Sequence, residues 1–240
     1  MTIFPFKTIL MYFLLMMIGI NTSHSLAEEK EMILIKQPQK QNDPLFITIM
    51  PGLNINSVIL NALPGSTIFL EPGKYYLNTI TISNKINLTL RAVSGTVTIK
   101  MSAPAASYLK IQNSTNIQIS GLFFEYDKML AGISEDPLLQ ISHSEKINMD
   151  YTEISGNATS LVSVNQSQII RLDHNLLWGI CLFPIIFKDC SQVSMISNQI
   201  KTISDYPRFN DHILDSNFQK ISGDQLITID NIWSIILLED

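Results

Sequence analysis

Apolar and polar residues alternate in short bursts along most of this chain. Ile117 and Ile119, Ile147 and Met149, Ile170 and Leu172, and Val193 and Met195 each stand two apart. That is the spacing of a strand, whose successive side chains point to opposite faces, and not the three-four spacing of a helix. The bursts also recur. Stretches beginning at Ile111, Ile141, Val164 and Phe187 share one register, the first step being longer than the two equal steps that follow. Three positions on come Ser114, Ser144, Ser167 and Cys190; thirteen on come Phe124, Ile154, Leu177 and Ile200. Ile-rich strands that repeat roughly every 23 residues, with Asn, Ser and Gly at the corners, predict an all-β solenoid. The expected form is a right-handed parallel β-helix whose coils stack about 4.8 Å apart.

Stacked coils bring equivalent residues over one another, so Asn175 and Asn198, both eleven positions into their repeats, are expected to form part of a ladder in which side-chain amides bond neighbouring corners. Upstream, "GSTIFLEPGKYY", "INLTLRA" and "TVTIK" read as the strands of the first coils. Before them "NINSVILNAL" has helical spacing at Val58, Ile59 and Leu63, with Asn54 or Asn56 as N-cap. A short helix near 54–63 would cap the open end of the coil, where an unpaired edge invites another strand. The insertion "EYDKMLAGISEDP", within the longer first step, reads as a solvated loop. Downstream, "LITIDNIWSIILLED" is expected to return to register with Ile229, Ile235 and Leu237 at offsets zero, six and eight.

The first residues lie outside this pattern. Lys7 followed by the apolar run Ile9 to Ile20, then "SLA", has the form of a secretory signal ending at Ala27. The expected organisation is a signal peptide over 1–27, an extended lead over 28–52 and the β-helix over 53–240. Removal of the signal takes Lys7 with it and moves the formal charge from −5 to −6. No basic surplus argues for nucleic acid. The mature chain is expected without a stable membrane span, and secreted, periplasmic or at the cell surface. Cys181 and Cys190 leave two possibilities open in an exported chain, a disulfide or two buried thiols.

Four motifs then stand in order: "PGSTIFLEPGKYY" before "LTLRAVSGTVTI", "YLKIQNSTNIQISGLFFEY", "RLDHNLLWG", and "SNFQKISGDQLITIDN". Together they resemble the chondroitinase B and alginate lyase family of β-helical polysaccharide lyases, over about Leu60 to Asn231. The resemblance implies β-elimination on acidic, uronate-containing polysaccharide. In that chemistry a calcium ion held by Asn and Glu offsets the uronate carboxylate, lysine takes the C5 proton and arginine assists the leaving oxygen. The chain departs from this pattern where the chemistry would be done. Asp224 stands at the first acidic position and Gln225 or Leu226 at the second, which makes Asp224 and then Gln225 the candidate metal residues. The lysine position falls on Asp230 or Asn231, neither of which can replace it.

No catalytic residue is therefore assigned from the sequence. Arg171, Asp173 and His174, within "IIRLDHNLLWGI", are expected to serve the rung corner. His143, His212, Arg208 and Lys220 are scattered polar groups without a partner defined by spacing. Two function classes remain: a lyase-like protein acting on acidic polysaccharide with calcium, and a carbohydrate-binding or surface scaffold that has kept the coil without the active site.

Overall fold

The aliphatic columns expected from the sequence are realised pair by pair. Ile117, Ile147, Ile170 and Val193 are register partners on consecutive parallel strands, as are Ile119, Met149, Leu172 and Met195. Phe124, Ile154, Leu177 and Ile200 form a third column, and Ile111, Ile141, Val164 and Phe187 a fourth. Every one of these side chains is 0–3% exposed. Fully burying a Val, Leu, Ile or Phe contributes roughly 1.5–3 kcal/mol, so these stacked columns are the main source of stability. The fold is a parallel β-helix.

The structure, a computed structural model, describes residues 34–36, 45–101, 107–126, 135–204, 213–214, 226–229 and 232–237, with side chains within 45–101, 107–125, 135–181 and 184–201. From Thr67 onward the coils contribute in turn to three sheets of parallel strands. In the coil of Ile147 these are Glu145–Asp150 in sheet A, Glu153–Ser155 in sheet B and Ala158–Asn165 in sheet C. In the next coil a single long strand, Leu176–Lys188, belongs first to sheet B and then to sheet C. It passes between them at Gly179, where φ is +156° and a Cβ would run into the carbonyl oxygen of Gly156 one rung away.

Sheet A starts inside the stretch expected as the lead. Phe46–Ile49 pairs in parallel with Thr67–Leu70, and Leu34–Lys36 pairs with Phe46–Ile49 in the antiparallel sense. The helix follows, over Ile55–Asn61, with Asn54 as its N-cap accepting from the Ser57 N–H at 3.2 Å. Asn56 ties the helix to the first coil instead, bonding Thr79 O and Thr81 N. Val58 and Ile59 are buried as expected, but Leu63 is 64% exposed. The helix stops before Leu63, so the helical spacing that would have buried it does not reach that far.

Two of the turns between sheets, C to A and A to B, are built on residues with positive φ. From C to A these are Asn84, Asn113, His143, Gln166 and Asp189; three residues later, Asn87, Asn116, Lys146, Ile169 and Gln192; from A to B, Gly121, Tyr151, His174 and Ser197. Polar side chains behind the corners bond from rung to rung. Ser144 Oγ accepts from Ser114 N at 3.2 Å, and Ser167 Oγ from Ser144 N at 3.1 Å. Cys190 takes the next place, its sulfur accepting from the Ser167 backbone while its one S–H lies between Lys188 O at 3.1 Å and Val164 O at 3.3 Å. The asparagine ladder is present as expected: Thr152 N donates to Asn175 Oδ1 at 3.0 Å, and Asn175 N to Asn198 Oδ1 at 2.9 Å.

The last coil departs from its expected register. Leu226, not Ile235, pairs with Val193, while Trp233, Ile235 and Leu237 pair with Ile200, Thr202 and Ser204. The step from Val193 to Leu226 is longer than the step from Ile170 to Val193. An alternating run such as "LITIDNIWSIILL" fits several registers shifted by two, so the pattern alone cannot fix one once the coil length changes.

Candidate functional site

The A-to-B corner of two consecutive coils gathers the densest set of reactive side chains among those described. Arg171 and Asp173 lie two apart on the strand Gln168–Asp173, so both project from the outer face of sheet A. Arg171 Nη2 donates to Asp173 Oδ2 at 2.6 Å. His174, next in the chain and turned outward by its φ of +53°, places Nδ1 2.7 Å from Asp173 Oδ1. One rung away, Tyr151 has the same corner conformation, and its ring stacks on that of His174 with centroids 5.0 Å apart and planes at 18°.

Asp173 is the hub of this group. Burial pushes its pKa up, but the hydrogen bonds and positive charges of Arg171 and His174 outweigh that and hold it below the usual carboxylate value. An ionised carboxylate can only accept, so the proton of the shared hydrogen bond sits on His174 Nδ1. Arg171 commits one nitrogen to Asp173 and its side chain is 55% exposed, leaving further N–H donors of the guanidinium fork toward solvent. Asp150 is the register partner of Asp173, and Asn148 that of Arg171. Around the corner on sheet B, Trp178 Nε1 donates to Glu153 Oε1 at 3.1 Å.

Arg171, Asp173 and His174 stand out in the sequence as corner residues, whereas Tyr151 and Asp150 do not. The repeat contained the signal, since these two stand one full period before His174 and Asp173. His143 belongs elsewhere, with Glu145, Gln166 and Asp189 at the C-to-A corner, where they line a shallow groove of about 480 Å³. The outer face of sheet A carries a second cationic point in its early coils: Arg91 lies over Phe69 at 5.7 Å, and Phe69 packs against Phe46 at 6.0 Å.

Asp224 and Gln225, the residues expected to hold metal, lie outside the described residues, as do Arg208, His212 and Lys220. The corner does not fit a calcium ion in their place. Calcium takes six to eight oxygen ligands, and both oxygens of Asp173 are already bonded to Arg171 and His174. Among the described residues no three His, Cys, Asp or Glu side chains come together as a metal site. Cys181 and Cys190 are free thiols, which settles the alternative left open by their spacing.

No family model and no curated protein matches the sequence. Among solved structures, the chain is similar to a crystal structure of a "putative glycosyl hydrolase" from Parabacteroides merdae, with 10% identity and a TM-score of 0.47. The similarity covers 72% of this chain and 82% of that one. Likeness at that level carries no argument about chemistry.

Proposed function

We infer that this chain recognises an acidic, uronate-containing polysaccharide at the A-to-B corner. The observation that carries the reading is an exposed Arg171 guanidinium and the stacked rings of Tyr151 and His174, both anchored at Asp173. A sugar acid presents a carboxylate beside an apolar ring face. A planar fork of N–H donors suits the first and an aromatic platform the second. The four motifs that resemble the chondroitinase B and alginate lyase family support the same substrate class. The signal-like segment ending at Ala27 supports export to where such polymers are met. Among the described residues, no helix is long and apolar enough to cross a membrane.

The test is retention of the mature protein on alginate, chondroitin sulfate and dermatan sulfate compared with a neutral glucan, by affinity electrophoresis or calorimetry. Binding to at least one acidic polymer is expected, weakening as salt rises, with Arg171→Gln and Tyr151→Ala each reducing it about tenfold. Equal binding to the neutral glucan, or full affinity in both variants, overturns the reading. Calcium-assisted elimination, with Asp224 as first ligand and Gln225 as second, belongs to the same proposal. It requires product formation that depends on calcium and falls in Asp224→Ala.

A further inference from the structure

We propose that the outer face of sheet A holds a second anchoring site, Arg91 on the Phe69–Phe46 aromatic pair, and that an acidic glycan chain lies along the coil axis between it and Arg171. The proposal rests on the polysaccharide reading above and extends it from one corner to a strip of surface. Its first support is the state of Arg91. The guanidinium lies over the Phe69 ring at 5.7 Å, and Phe46, 46% exposed, stands beside that ring at 6.0 Å. Among the described residues Arg91 has no hydrogen-bond or ion-pair partner, so its N–H donors are open to a ligand. Arg171 spends part of its charge on Asp173, whereas no carboxylate is bonded to Arg91. Arg91 is therefore the stronger electrostatic anchor of the two. Packing on an aromatic ring holds a guanidinium in place without using its donors, and the exposed Phe46 ring offers an apolar surface to a sugar face.

The second support is alignment. Arg91, Ser120, Asp150 and Asp173 are register partners on four consecutive strands of sheet A. Phe69 pairs with Arg91 one rung earlier. Arg171 bonds Asp173, so its guanidinium stands three rungs from Arg91 along one outward column. At about 4.8 Å per rung the two cations are roughly 14 Å apart. A single sugar cannot reach both, but an extended oligosaccharide parallel to the axis can. Joining two weak contacts through one ligand raises affinity without any new contact. Asp150 stands in the column between them, where its carboxylate opposes an acidic chain.

The experiment measures, by calorimetry on the mature chain, the affinity for size-graded oligosaccharides of alginate, chondroitin sulfate and dermatan sulfate. For the polymer that binds, affinity is expected to step up by about tenfold or more once the oligosaccharide spans both cations. Arg91→Gln should abolish the step and leave short oligosaccharides at the corner unaffected. Arg91→Met, which keeps a flexible side chain on Phe69, should do the same, separating charge from packing. Either change should flatten the salt dependence more than Arg171→Gln does. Asp150→Asn should tighten binding of the long oligosaccharides. Lys188→Gln, which removes an exposed cation at the end of a sheet C strand, should act as wild type. Thermal unfolding confirms that each variant is folded. Three outcomes overturn the proposal: an undiminished step in folded Arg91→Gln and Arg91→Met, an equal loss in Lys188→Gln, or no tightening in Asp150→Asn. All three leave the corner reading standing, since that depends on Arg171 and Tyr151, whereas absence of binding to any acidic polymer removes both.

Discussion

Asn198 Oδ1 accepts two hydrogen bonds from Asn175 across one rung, from the backbone N–H at 2.9 Å and from the side-chain N–H at 3.0 Å. Asn198 in turn donates to Leu172 O at 2.9 Å, and both asparagines are buried. Replacing Asn198 by Ala leaves at least one donor and one acceptor unmatched. A buried unsatisfied group costs about 1–3 kcal/mol, so Asn198→Ala is expected to lose about 2–4 kcal/mol in denaturant unfolding.

Ile169 is the weak point of the second corner column. Its φ is +57°, where a β-branched residue is disfavoured, while the equivalent Asn87 and Asn116 carry the residue type that tolerates this region. Ile169 is partly exposed and gives up little burial on replacement. Ile169→Asn should therefore stabilise the protein by about 1 kcal/mol, seen as a rise in Tm.

The lowered pKa of Asp173 has a defined sign in folding. A carboxylate with a folded pKa below its unfolded value stabilises the native state above the unfolded value, and that contribution is lost as pH falls through the folded one. Wild type is expected to be more stable than Asp173→Asn at neutral pH. The two should converge in acid, below the ordinary carboxylate pKa. A difference that persists unchanged to low pH would place the effect in packing instead of charge.

Neither thiol is poised to react. Burial pushes Cys181 up to about 12 and also raises Cys190, so both remain protonated at neutral pH. Native protein should react slowly with an aromatic disulfide reagent and should lose no stability under mild reductant. Unfolding should release two equivalents, which matches the two cysteines of the chain.

Columns of aliphatic residues made the fold legible because one repeat register predicts many pairings at once. The Ile117 and Phe124 columns and the Asn175–Asn198 bond all follow from it. Where the period changes the register carries nothing forward, as with the displaced pairing of Leu226 and Trp233. Corner conformations were legible at Asn84 and Gly121 but hidden at Lys146, Ile169 and Gln192, since stacking from neighbouring coils imposes positive φ on residues that do not prefer it. The candidate site was half visible. Arg171, Asp173 and His174 are neighbours in sequence, but only the coil geometry lays Tyr151 against the imidazole.

The serine-to-cysteine ladder links each coil only to the coils on either side of it, so cohesion passes through the molecule from neighbour to neighbour. Such an array opens like a zipper, from its extremities inward. Amide exchange should accordingly be slowest in the interior turns carrying Ile147 and Ile170 and grow faster toward Phe46. A ligand seated across Tyr151 and His174 would then act as a clasp, joining two adjacent windings and slowing the unravelling of both.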